Sequence, residues 1–137
     1  MQSYATAQRA LDLAVAYARE RETFGRPLIS RQVIRHKLVD MHRRTEAARA
    51  LTRQAVERAQ DSGNKADPQL ILAAAIAKNQ AVEAVEWVVS EAVQIHGGMG
   101  YMRESEIDRH YRDARILGIG GGATEVLNDL AAKLLGY

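Results

Sequence analysis

The chain has 137 residues, enough for one domain with its own core, and 47% of them are apolar against 26% charged. It contains no Cys, which excludes a disulfide framework and thiolate chemistry and makes a reducing, cytoplasmic setting the default expectation. A formal charge of +2 is too small to argue for nucleic acid. No stretch reaches the roughly 18 apolar residues of a membrane span, and the first residues do not read as a basic-then-apolar leader. The charge is uneven, however: between Tyr17 and Arg44 there are eight Arg or Lys residues and three acids. Such a run forms either a solvated face or a seat for a phosphorylated ligand.

Two prolines, one Phe and β-branched residues set within helical periodicity point to an all-α chain. Residues 2–22 read as a first helix, with Tyr4, Ala7, Leu11, Ala14 and Ala18 at three- and four-residue steps. It opens in mid-pattern without an N-cap, which leads us to expect a domain of a longer protein. Arg21-Glu-Thr-Phe-Gly25 and Pro27 supply its stop. A second helix is expected from about Ser30 to Gln60, striped by Ile34, Leu38, Met41, Thr45, Ala48, Thr52, Ala55 and Ala59. Asp61-Ser-Gly-Asn64 ends it, and Asp67-Pro68 restarts the chain with an N-cap and a first-turn proline.

The third helix carries Leu70, Ala74, Ala77, Ala81, Val85, Val88, Ala92 and Ile95 on its apolar face. Helices two and three are each about 45 Å long at 1.5 Å per residue, and their short connection makes them antiparallel neighbours. Trp87 is expected in the core or an interface. A short charged helix from Ser105 to about Arg115, a loop at Gly118–Ala123 and a last helix from Thr124 to Leu135 follow. That last helix is expected to bury Val126, Leu127, Leu130 and Leu134. The fold class is therefore an up-down helical bundle of four main helices plus a short one, in one domain over residues 1–137.

The stretch that stands out is Gln94-Ile-His-Gly-Gly-Met-Gly-Tyr101. Three glycines in four positions break the third helix and leave backbone that another molecule can approach closely. No strand precedes them, so this is not a dinucleotide fingerprint. Taken alone, these eight residues are most simply a Gly-terminated helix followed by a turn.

Four ordered segments change that reading. Arg21-Glu-Thr-Phe-Gly25 with Gln32 and His36-Lys-Leu-Val-Asp-Met41 is the first, and Ala77-Lys78 the second. Gln94–Tyr101 is the third and Tyr111-Arg-Asp-Ala-Arg-Ile116 the fourth. In order and spacing they resemble the carboxy-terminal helical domain of the acyl-CoA dehydrogenases, across nearly the whole chain. The resemblance implies a flavoenzyme that oxidises an acyl-CoA thioester to its α,β-enoyl form and passes electrons to an electron-transfer flavoprotein. It implies FAD as cofactor, lying partly across the interface of a homodimer or, more typically, a homotetramer. By position, Arg21 and Gln32 would contact the cofactor's phosphate and adenine side, with Phe24 packing beside them. Gln94, Gly97 and Gly98 would meet the adenosine half of a neighbouring subunit's FAD. A guanidinium suits the first task because it is a planar, permanently charged fork.

Arg109, Arg112, Asp113 and Arg115 resemble a charged helix that the family uses for structure, an ion-pair network bracing the last loop. His36, His42, His96 and His110 fit no zinc spacing, so no metal site is expected.

One position departs from the family's pattern. Oxidation of the thioester needs a base for the α proton and an acceptor for the β hydride. Many members carry the base as Glu in a Tyr-Glu-Gly-Thr motif. Gly120, Gly121, Gly122 and Ala123 stand there in this chain. Gly121 cannot take a proton, so no catalytic residue is assigned. Glu125, four residues later, stands where the family often has a polar cofactor contact, and taking it as the base instead would need a shifted register. Isovaleryl-CoA and long-chain members carry the base on an earlier helix, and Gly121 would then free space for a branched or bulky acyl group. Alternatively the protein has lost dehydrogenation and serves as a partner subunit or runs another flavin oxidation. A third class, an unrelated bundle that binds a partner protein, requires the four segments to be coincidence.

Overall fold

The computed structural model describes residues 1–62 and 66–137. Helix α1 (Gln2–Glu20) buries Ala7, Ala10, Leu11, Ala14 and Ala18, a face made almost wholly of Ala. Such a face lets a neighbouring helix approach closely. The neighbour is α3 (Pro68–His96), which runs parallel to it: Tyr4 packs with Ala81 and Ala84 at one end, and Tyr17 stacks on His96 at the other. Helix α2 (Gln32–Ser62) runs the opposite way, since Lys37 pairs with Glu91 and Ala48 packs with Ala81 and Ala84. The expected stop at Asp61–Asn64 falls partly on Gly63 and Asn64, outside the described residues.

Helix α3 begins as its sequence dictates. The Asp67 carboxylate accepts the Gln69 N–H at 2.9 Å, with Pro68 in the first turn where no N–H is needed. It is the hub of the fold, because α1, α2, α5 and α6 all pack on it. Its buried set is accordingly broader than one stripe: Leu72, Ala75, Val82, Ala84 and Val89 are buried besides the expected Ala77, Ala81, Val85, Val88, Ala92 and Ile95. Leu70 is half-buried and Ala74 exposed, contrary to expectation.

The stripe on α2 holds for its first half. Leu38, Met41, Thr45 and Ala48 are buried, and the Thr45 hydroxyl donates to the Met41 carbonyl at 2.9 Å, so its polar atom is satisfied in the core. Beyond Ala48 the described residues cover the stripe only in part: Thr52 and Ala55 are half-buried and Ala59 is exposed. An open apolar groove of about 500 Å³ runs there, between α2, the first turns of α3 and the start of α1.

The segment after α1 holds the clearest surprise. Glu22–Thr23 (β1) and Arg26–Pro27 (β2) pair antiparallel as a two-rung hairpin, where a simple helix stop was expected. Phe24 and Gly25 turn it at φ +51° and +70°, the double left-handed geometry of a tight hairpin turn. A 3-10 turn over Leu28–Ser30 leads into α2. Helix α4 is a single turn, Gly98–Tyr101. Helix α5 (Glu106–Leu117) descends antiparallel to α3, tied to α1 by Arg9–Glu106 and to α3 by Arg115–Glu86. Helix α6 (Thr124–Leu135) crosses the first half of α3. It buries no residue fully: Val126 is exposed, and Leu127, Leu130 and Leu134 are half-buried. The expectation of a buried face fails because α3 covers one side of a helix whose apolar stripe is wider than that contact.

Candidate functional site

The Tyr17–His96 stack brings the last turns of α1 and α3 together, and α2 starts at the same end. Six of the residues singled out by sequence therefore gather there: Arg21, Phe24, Gln32, Gln94, Gly97 and Gly98. All six are exposed.

Arg21 is the C-cap of α1. Its backbone is committed, the N–H to Tyr17 O at 2.8 Å and the carbonyl to Leu28 N at 2.7 Å, while its guanidinium has no partner among the described residues. Phe24 is 98% exposed at the hairpin tip, in a backbone conformation that costs a bulky residue energy. Arg31 steadies this tip: its Nη2 donates to Thr23 O at 2.9 Å, and its guanidinium lies 5.9 Å from the Phe24 ring centre. Arg35 does the same one turn on, donating to Ser30 O at 2.6 Å. Gln32, at the start of α2, lies 3.4 Å from His36 through its Nε2.

On the neighbouring helix end, Gly97 adopts φ +60° and ψ −140°, terminating α3 with its N–H on Gln94 O at 3.2 Å. A side chain built at Gly98 would meet nothing within 4 Å, so its backbone is open to an incoming molecule. Gly100 is glycine for another reason: a Cβ there would sit 2.7 Å from Val93 O and 2.9 Å from the His96 Cβ. His96 donates from Nδ1 to Ala92 O at 2.7 Å, which orients its ring against Tyr17.

A free guanidinium, an exposed aromatic ring and bare backbone at one end of a bundle suit a planar, negatively charged nucleotide ligand.

Glu125 is not part of this cluster. It lies in the first turn of α6, and α6 meets α3 at Lys78 and Asn79, about 24 Å before Gln94 at 1.5 Å per residue. Lys78 Nζ donates to Gly122 O at 2.6 Å, and Asn79 Nδ2 donates to Thr124 O at 3.0 Å and Asn128 Oδ1 at 2.8 Å. The Gly120–Gly122 loop is thus held from α3. Gly121 and Gly122 have φ +69° and +102°, and the space around a Gly121 side chain is open.

Sequence reasoning assigned no role to Arg31, Lys78 or Asn79. Lys78 carried a legible signal, being the sole charged residue from Pro68 to Val82 on an otherwise apolar helix face. The bracing network on α5 also differs in its acids from the expected one. Arg112 pairs with the buried Asp108 and Arg115 with Glu86, and Arg109 and Asp113 stand exposed outside it. Arg115 passes so close to Gly118 that a Cβ there would meet it at 2.9 Å. Among the described residues no group of three or more His, Cys, Asp or Glu is placed to hold a metal, and no helix is long and apolar enough to cross a membrane.

The family model for the acyl-CoA dehydrogenase C-terminal domain matches residues 1–136. The chain belongs to the acyl-CoA dehydrogenase family. A probable acyl-CoA dehydrogenase from Mycobacterium abscessus is 58% identical and superposes with a TM-score of 0.92, over 98% of this chain and 35% of that one. The human mitochondrial short-chain specific acyl-CoA dehydrogenase is 47% identical over 91% of this chain and 29% of its own length. The 3-sulfinopropanoyl-CoA desulfinase of Paraburkholderia xenovorans is 43% identical over 95% of this chain and 32% of its own. This chain thus spans about a third of the length of the curated relatives it matches.

Proposed function

We propose that residues 1–137 form the cofactor-binding and oligomerisation domain of an FAD-dependent acyl-CoA dehydrogenase. In it, Arg21 and Gln32 take the phosphate and adenine side of FAD, and Phe24 packs beside them. Gln94, Gly97 and Gly98 take the adenosine half of a neighbouring subunit's FAD, and Glu125 makes a polar contact near the glycine loop. FAD supplies the acceptor for the hydride from the β carbon of the thioester. This chain's share is to bind, to orient and to bring two subunits together as a homodimer or homotetramer. An electron-transfer flavoprotein is then the natural electron acceptor.

The observation that carries this reading is the clustering of six exposed candidate contact residues at one end of the bundle, with a free guanidinium and an aromatic tip held in left-handed backbone. The base for the α proton comes from outside this chain, because Gly121 has no side chain. The open space at Gly121 favours a branched or bulky acyl group.

A second reading keeps the flavin and drops the dehydrogenation, leaving a partner subunit or a different flavin reaction. The identity of 43% to a protein named as a desulfinase supports it, together with Gly121. One experiment separates the two. The full-length protein is purified with its flavin and mixed without oxygen with a panel of straight, branched and cyclic acyl-CoAs. Bleaching of the flavin by one class of thioester establishes the dehydrogenase and names its substrate. A flavoprotein that none of them bleaches favours the second reading, and a full-length protein without FAD sinks both. The isolated 137-residue chain is expected to show no turnover, and measurable turnover by it would refute the placement of the base.

A further inference from the structure

The connection from α5 to α6 is made of residues that choose no conformation for themselves. Gly120, Gly121 and Gly122 follow one another, two of them with left-handed φ, and glycine samples such states freely. A loop of this kind holds one shape only if its surroundings impose it. Backbone bonds fix its two ends, Gly120 N–H to Ile116 O at 2.7 Å and Thr124 N–H to Gly118 O at 3.3 Å, and two adjacent side chains of α3 hold what lies between and beyond. Lys78 donates to the Gly122 carbonyl at 2.6 Å, and Asn79 spends both amide protons on Thr124 O and Asn128 Oδ1. The Asn79 orientation is forced, since the flipped amide would turn its oxygen onto the Thr124 carbonyl. The amide oxygen is buried and accepts from no group among the described residues.

The Lys78 stem lines the apolar groove beside Thr52, Ala55 and Ala74, and its ammonium emerges at the loop. A charged donor on a carbonyl is the stronger kind of hydrogen bond, and it fixes the plane of the peptide between Gly122 and Ala123. From this geometry we infer that Lys78 is a positioning residue. It holds the Gly120–Gly122 wall in the one arrangement that leaves the Gly121 side open to substrate. This rests on the acyl-CoA dehydrogenase reading for what faces the wall, though not for the clamp itself.

The test uses the full-length flavoprotein with Lys78→Met, Lys78→Gln and Lys78→Arg, and it has two readouts. The first is hydrogen exchange of the peptide covering 118–123, which needs no substrate. The second is the rate and KM of anaerobic flavin bleaching by the acyl-CoA that bleaches the wild type. Loss of a charge-assisted bond predicts that Lys78→Met speeds loop exchange and slows bleaching, each by about tenfold or more, with flavin content and KM little changed. Lys78→Gln should fall between, and Lys78→Arg should restore most of both.

Loop exchange independent of residue 78 overturns the inference. So does a parallel fall in flavin content, melting temperature and bleaching in all three variants, the mark of a purely structural lysine. Should Lys78→Met not fold, Lys78→Gln decides by the same criteria. If no acyl-CoA bleaches the wild type, the dehydrogenase reading has failed, and the exchange data still judge the clamp. Faster exchange confined to 118–123 upholds it and unchanged exchange removes it.

Discussion

Tyr17 and His96 stack with their ring centroids 4.4 Å apart and 26° between the planes. The pair joins the last turns of two parallel helices, with Arg21 directly after one of these turns and Gln94, Gly97 and Gly98 ending the other. Such a ring pair contributes about 0.5–1.5 kcal/mol beyond its buried area. Tyr17→Leu and His96→Ala should each destabilise the protein by about that amount or slightly more. A double-mutant cycle in urea should return a coupling energy of about 1 kcal/mol. Flavin affinity should weaken in the same variants. Full retention of flavin in both would show that the stack does not align the two helix ends.

The glycines at positions 98 and 100 make a second, contrasting pair. Gly100→Ala places a Cβ 2.7 Å from the Val93 carbonyl, a backbone atom that cannot swing aside. We expect a loss of about 1–3 kcal/mol in denaturant unfolding, the usual cost of overpacking. Gly98→Ala meets nothing within 4 Å and lies in a helical turn, so stability should hold or rise by a few tenths of a kcal/mol. Its effect should appear instead as weaker flavin retention in the full-length oligomer.

Phe24 offers a test in which stability and function move in opposite directions. The residue is 98% exposed at φ +51°, so it packs on little and strains its own backbone. Phe24→Asn relieves the strain, because Asn tolerates the left-handed region, and should raise stability by up to about 1 kcal/mol. In the same variant, flavin retention or subunit association should fall. A variant both more stable and fully flavinated would remove Phe24 from the contact set.

Arg21→Ala and Arg21→Lys separate charge from shape at the same end of the bundle. The guanidinium is exposed and without a partner among the described residues, so unfolding should change by less than about 0.5 kcal/mol. Flavin dissociation should accelerate in both variants, and more in Arg21→Ala, since Lys keeps the charge but loses the planar fork. An unchanged dissociation rate in Arg21→Ala would count against a phosphate contact.

Acid sensitivity should trace to the tie between α1 and α5. Glu106 accepts two hydrogen bonds from Arg9 at 2.8 Å and lies 3.1 Å from His110 Nε2. These bonds, Arg9's first, pull its carboxyl down from 4.5 to about 2. A carboxylate depressed on folding contributes stability that is complete above its unfolded value and is lost as the pH falls from about 4.5 towards 2. Thermal melts across that window should show a steeper decline for the wild type than for Glu106→Gln. High salt should shrink the difference, because the pair is largely solvated. Parallel curves would place the acid sensitivity elsewhere.

The helical plan was legible because its signals are local. Asp67-Pro68 starts α3, the apolar residues of α1 recur at three- and four-residue steps, and glycine runs end α3 and α5. The candidate contact residues were legible through the ordered motifs, which survive as a linear pattern. The hairpin at Glu22–Pro27 was not, since two rungs give no alternation to read and Phe-Gly lacks the usual Asn-Gly turn signal. The exposure of Ala59 and Val126 was equally hidden: periodicity marks an apolar face without saying what covers it.

By itself, then, the sequence determined which segments form the longer helices, where they stop to within a few residues, and that no proton acceptor stands at position 121. The tertiary structure alone decided that Arg21, Gln32 and Gly97 share one end of the bundle and that Glu125 lies far from them. It alone showed that a lysine on α3 holds a carbonyl 44 residues away. The physical reason is range. Caps, turns and periodicity act within about one helical turn, whereas these neighbours are set by how Ala-faced α1 and the hub α3 pack, and that packing depends on every helix at once.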